Sequence, residues 1–162
     1  MTIEEILQAA RGRLAGAPRE SLGELVVPRR VLGFARAPRI VPAGDAWHLG
    51  VLLLDDDAVR ATGDIVRART EAPRGFAAES QRARAALAGA AARGGFPEGR
   101  AVHVGWTTID IAAVSAGGAS GPLALVDGVP SVRWSATGGY MPLERYLDDR
   151  IELLRHPPAG AS

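Results

Sequence analysis

The sequence predicts an α+β domain built on a mainly antiparallel sheet, with helices packed on it. Three observations lead there. Helical periodicity is confined to three segments, at the start, the middle and the end of the 162-residue chain. Between them, short apolar runs are separated by turn residues rather than by further helices, which makes hairpins the rule and crossovers the exception. The composition, 47% hydrophobic and 23% charged, is that of an ordinary globular protein with one core.

The first element is a helix from Thr2 to about Leu14. Thr2 and Glu5 have capping-box spacing, and Ile3, Ile6, Leu7, Ala10 and Leu14 form one apolar stripe. Gly16 and Pro18 end it. Residues 19 to 45 read as a Pro-interrupted arm with short strands at Leu25–Val27 and Val31–Phe34. Trp47 to Leu54 reads as one central strand, Asp55-Asp56-Asp57 as a turn, and Ala58 to Thr70 as the return strand, bent at Gly63. A helix is expected over residues 77 to 93. Its face of Ala83, Ala86, Leu87 and Ala90 is small enough for close packing, and Gly94-Gly95 stop it. Ala101 to Ile111 reads as a strand, and Ser115 to Gly121 as a flexible loop. Leu123 to Trp134 reads as a hairpin turning on Asp127-Gly128 in type I′. The last helix runs from Pro142 to Arg155 with Leu143, Tyr146, Leu147, Ile151 and Leu154 on its apolar face. The whole, residues 1–162, is read as a single domain. It comprises the N-terminal helix and arm (1–45), a sheet-and-helix core (46–158) and a frayed tail (159–162).

What is missing excludes several chemistries. There is no cysteine, so no disulfide, thiolate nucleophile or cysteine-bound metal. All 19 basic residues are arginine, so there is no P-loop lysine, Schiff-base lysine or Ser-x-x-Lys dyad. No apolar run approaches the roughly 18 residues of a membrane span. The acidic start, Met1 to Glu5, does not read as a signal peptide, so the expected compartment is the cytoplasm, away from membranes. A net charge of +1 argues against general nucleic-acid binding. Between Glu24 and Asp45 the only charges are Arg29, Arg30, Arg36 and Arg39, with one aromatic, Phe34, among them. A basic arm suits phosphates, but so few aromatics leave little for base stacking, and a solvated edge is the plainer reading.

Leu49–Arg69 and Tyr146–Leu154 resemble a family of small uncharacterised proteins of GC-rich bacteria that has no assigned function, a composition that abundant Arg, Ala and Gly also suits. A glutaminase label among such relatives implies nothing here, because the Ser-x-x-Lys pair of serine-dependent glutaminases is absent.

No motif is specific for catalysis or for a cofactor, and no metal is expected. His48, His103 and Asp110 offer one conceivable metal arrangement across a sheet, against which a strand histidine is more simply a hydrogen-bonded one. Three consecutive aspartates, 55 to 57, alternate in direction and converge poorly on a cation, so they read as a turn. Ser135, Thr137, Gly138 and Gly139 lead toward a helix and are a candidate anion cradle. Arg150 falls inside the apolar arc of the last helix. It is expected to pair with a strand carboxylate, Asp64 or Asp110, to grip an anionic ligand, or to reach solvent along its own stem. The ligand-binding candidates are therefore Arg150, Ser135, Thr137, Gly138, Gly139, His103 and Asp110. The functional expectation is a protein that acts through protein–protein contacts, as a homodimer. The alternative is a ligand-binding or hydrolase-like cleft of unknown substrate.

Overall fold

The computed structural model describes residues 1–29, 32–34, 36–70 and 78–160. Among these residues are four helices and mostly antiparallel strands, an α+β fold as the sequence predicts. The chain divides into two compact units, residues 1–19, 46–62 and 107–162 in the first and residues 20–45 and 63–106 in the second.

The first unit opens with α1 (Ile3–Leu14). The capping box forms as its spacing requires: Glu5 N donates to Thr2 Oγ1 at 3.2 Å and Thr2 N to the Glu5 carboxylate at 2.7 Å. Its apolar stripe, Ile3, Ile6, Leu7, Ala10 and Leu14, is buried throughout. β2 (Arg39–Leu49) enters this unit at Ala46 and pairs with β3 (Leu52–Leu54), which pairs with β4 (Val59–Ala61). Further along the chain come β7 (Thr107–Thr108), which pairs with β4, and the short helix α3 (Ile111–Ser115). A second sheet follows from β8 (Ala119–Ser120), β9 (Leu123–Val126), β10 (Val129–Arg133) and β11 (Tyr140–Pro142), in the order β11-β10-β9-β8. The β9–β10 hairpin turns on Asp127 and Gly128 with φ of 50° and 78°, the type I′ geometry expected. α4 (Leu143–Arg155) closes the unit and buries Leu143, Tyr146, Leu147 and Ile151 against Trp47, Leu49, Leu52 and Val132.

The second unit contains β1 (Glu20–Val26), the first half of β2, β5 (Asp64–Arg67), α2 (Glu79–Arg93) and β6 (Ala101–Val104). Its strand order is β5-β6-β1-β2, with β6 parallel to β1 and antiparallel to β5. Its core is Ile40, Val66, Ala68, Ala90, Ala91, Phe96, Val102 and Val104. Gly94 ends α2 against β2: a Cβ there would lie 1.6 Å from the Ile40 carbonyl oxygen, so no other residue lets the helix end approach so closely.

Several elements differ from the sequence expectation. The strand expected over Trp47–Leu54 is two strands turning at Gly50, which takes a φ of 66° that no β-branched neighbour tolerates. The strand expected over Ala58–Thr70 breaks after Ala61, because β4 joins the β3 ladder and β5 the β6 ladder. The strand expected over Ala101–Ile111 stops at Val104, and α3 occupies its far end and the start of the expected loop. In α2 it is Ala90 and Ala91, with Leu87 beside them, that pack inward, while Ala83 and Ala86 are exposed. Pro142 caps α4 rather than opening it. The three tryptophans, expected from their strand positions to be mostly buried, divide: Trp47 is buried, Trp106 is half-buried and Trp134 is 49% exposed. The strand expected at Val31–Phe34 falls partly outside the described residues, as do the first residue of the expected second helix and the end of the tail.

Tyr146 ties α4 to the β2–β3 turn. Its hydroxyl donates to the Leu49 carbonyl at 2.9 Å and accepts from the Val51 amide at 2.8 Å. Tyr146→Phe keeps the ring and strands both backbone groups, so it is expected to cost about 1–3 kcal/mol by chemical denaturation. A change within about 0.5 kcal/mol, the ordinary range for surface substitutions, would contradict this assignment.

Candidate functional site

The sequence-derived candidates are mostly engaged with their own neighbours. Arg150 is half-buried, one helical turn after Tyr146 on α4. Its guanidinium carbon lies 5.2 Å from the Tyr146 ring centroid, in cation–π contact. Among the described residues it forms no ion pair, so the expected pairing with Asp64 or Asp110 is not made. The aromatic face four residues earlier takes the place of a carboxylate, and the stem carries the charge past the apolar arc.

Asp110 is the N-cap of α3. Its Oδ1 accepts from Ala113 N at 3.0 Å, and its own amide donates to Ser120 Oγ at 2.8 Å. This cap is the signal for α3, although the β-branched run around it, Thr107 to Ile111, reads as a strand. Ser135 Oγ accepts from the Gly138 amide at 2.7 Å, so this loop closes on itself, with Thr137 and Gly139 exposed. β11 stands between the loop and α4, so its amides do not form the start of the helix, and the expected strand-to-helix cradle is replaced by a side-chain-closed turn.

His103 belongs to the second unit, on β6, and is fully buried. Its Nε2 lies 3.2 Å from Glu20 Oε1 on β1, a partner reached across the parallel β1–β6 pairing. Only that long-range pairing identifies Glu20, which no local spacing singles out. In the first unit, His48 Nε2 lies 2.9 Å from the Gly50 carbonyl oxygen, two residues on.

Asp55 explains the aspartate run. Its Oδ1 accepts from Asp57 N at 2.9 Å and Ala58 N at 2.7 Å, which forms the turn, and its Oδ2 pairs with Arg60. Burial pushes the Asp55 carboxyl up, but the Arg60 hydrogen bond and the two amides outweigh it and hold it below the usual carboxylate value.

Each unit also carries open surface. In the second unit, Val27, Leu32 and Phe34 on the β1–β2 connection are 69%, 91% and 77% exposed. In the first, a groove of about 680 Å³ is lined by Glu4, Glu5, Asp57 and Asp110, with Leu7 and Ile109 at its apolar base. Among the described residues, no helix is long and apolar enough to cross a membrane. No family model matches the chain, and neither a curated protein nor a solved structure matches it.

The Asp55 pair gives a signed pH dependence. A carboxyl held below its unfolded value near 3.9 stabilises the fold above that pH and loses the contribution as pH falls through the folded value. Asp55→Asn retains the turn acceptor and removes the charge facing Arg60. It is expected to cost about 1–3 kcal/mol at neutral pH. The gap to the parent should close as the pH falls below the folded value, as followed by denaturant titrations across the acid range. A gap independent of pH would contradict the pairing.

Proposed function

We propose that the chain is a non-enzymatic interaction domain that self-associates through the β1–β2 connection. The observation that carries this reading is the exposure of Val27, Leu32 and Phe34, three large apolar side chains within eight residues. Apolar surface in water costs roughly 25 cal/mol per Å², and monomers seldom gather such side chains at one tip without a partner. The backbone adds a second cost. Leu32 takes a left-handed φ of 56°, a conformation that costs an L-residue roughly 1–2 kcal/mol, and no burial within its own chain offsets it.

The acceptor is a second copy, and charge selects it. Every charge between Glu24 and Asp45 is an arginine. The groove of the first unit carries Glu4, Glu5, Asp57 and Asp110 around an apolar base, against the single cation Arg11. Apolar tip with flanking cations and apolar groove with flanking carboxylates are complementary in both respects. Because each copy carries both parts, the expected assembly is a homodimer.

Light scattering across a concentration series tests this. The parent chain should pass from monomer to dimer as concentration rises. The double variant Leu32→Asp, Phe34→Asp should remain monomeric with an unchanged circular dichroism spectrum. Glu4→Arg should weaken association, because it inverts a charge at the acceptor. A parent chain that stays monomeric, or a tip variant that associates like the parent, would remove the proposal.

A further inference from the structure

β5 is the outermost strand of the second unit's sheet, and among the described residues no strand pairs with its other side. Its inner edge is antiparallel to β6, with Asp64 opposite Val104 and Arg67 opposite Ala101. The residue after β5 fixes the phase of the ladder: the Ala68 amide donates to the Arg100 carbonyl at 2.9 Å. Backbone groups alternate along an antiparallel strand, so those of Asp64 and Val66 also face β6. Those of Ile65 and Arg67 face outward. Arg69, next in the outward series, donates its amide to the Ala88 carbonyl of α2 at 3.1 Å, so the outward groups look along the flank of that helix. Among the described residues, no hydrogen bond reaches the outward backbone groups of Ile65 or Arg67.

Open edges are usually blunted by charge, proline or a bulge. Here the middle of the edge carries Ile65, 51% exposed. Beside it runs a groove of about 890 Å³ between β5 and α2. An added strand would lie about 4.8 Å from β5. The α2 side of the groove is lined by the small side chains of Ala83, Ala85 and Ala88. The charged lining is Arg67, Arg69 and Arg84 against Asp64, a net positive rim.

We infer that this groove binds an extended acidic segment of a partner protein, which adds to the sheet as a strand beside β5. The outward N–H and C=O groups of Ile65 and Arg67 supply main-chain pairing. Alternate side chains of the segment pack on the α2 flank, and its carboxylates meet Arg67 and Arg84. The site lies on different residues from the β1–β2 tip and does not rest on self-association.

The test uses the full chain and fluorescence anisotropy with a labelled, capped octapeptide of alternating glutamate and valine. It should bind, and a lysine–valine octapeptide should bind at least about tenfold more weakly, because the rim is cationic. Methylating alternate amide nitrogens of the glutamate–valine peptide should weaken it by about tenfold or more, since main-chain pairing carries the affinity. Arg84→Glu, at an exposed helix position, should weaken binding by about tenfold. Ile65→Pro removes an outward N–H without touching the β6 ladder and should abolish binding. If that variant loses its native circular dichroism spectrum, Arg84→Glu decides. The inference is overturned by absence of binding, by equal binding of the two peptides, by full binding of the methylated peptide, or by undiminished binding to a folded variant. If Ile65→Pro instead dissociates a self-assembled parent in light scattering, a second copy occupies the edge and the acidic partner is ruled out.

Discussion

The Tyr146 hydroxyl sits in the mouth of the β2–β3 turn, accepting from the Val51 amide and donating to the Leu49 carbonyl, and much of the first unit depends on it. A tight turn leaves backbone groups that face inward, and inside a core they must be paired. Tyr146 pairs two of them from a helix that begins more than ninety residues later in the chain. The arrangement demands glycine at position 50: a Cβ there would lie 2.1 Å from the Tyr146 oxygen, and the φ of 66° already disfavours other residues. It also ties α4 to the hairpin, and Leu143, Leu147 and Ile151 share one core with Leu49 and Leu52. Arg150 follows from the same contact, because the ring that plugs the turn presents a face to the guanidinium one helical turn later.

This explains why the best sequence-derived candidates turn out to be structural in their contacts. Arg150 is held by a ring, Asp110 by the start of α3, Ser135 by its own loop and Asp55 by its turn and Arg60. What is left unspent lies on surfaces: exposed apolar side chains on the β1–β2 connection, an acidic groove, and a strand edge with outward backbone groups. The two proposals rest on these surfaces.

Much of the fold was legible because it is written locally. The Thr2–Glu5 capping box, the stripe of α1, the Asp127-Gly128 turn and the apolar face of α4 each follow from spacing within a few residues. The elements that were misread are those where local preference lost to long-range pairing. Leu52–Leu54 looks continuous with Trp47–Leu49 until Tyr146 makes the turn at Gly50 worth forming. The segment from Ala58 divides because its halves serve different ladders. α3 was hidden by β-branched residues whose propensity yields to one aspartate cap. Of the surfaces, only the arginine-bearing β1–β2 connection was legible; residues 20–26 and 39–45, expected as part of an arm, are strand β1, flanked by β6 and β2, and the first half of β2. The β5 groove was not, because an edge is defined by strand order, which no single segment records.

Native-state amide hydrogen exchange, resolved by residue, tests the central claim most directly, namely that polar groups in the interior are closed while those of the β5 edge are open. The Val51 amide should exchange among the slowest in the chain, since only opening of the first unit frees it from Tyr146. Along β5 protection should alternate, with Val66 slow and its neighbours Ile65 and Arg67 fast. A rapidly exchanging Val51, or uniform protection of residues 65 to 67, would contradict the account.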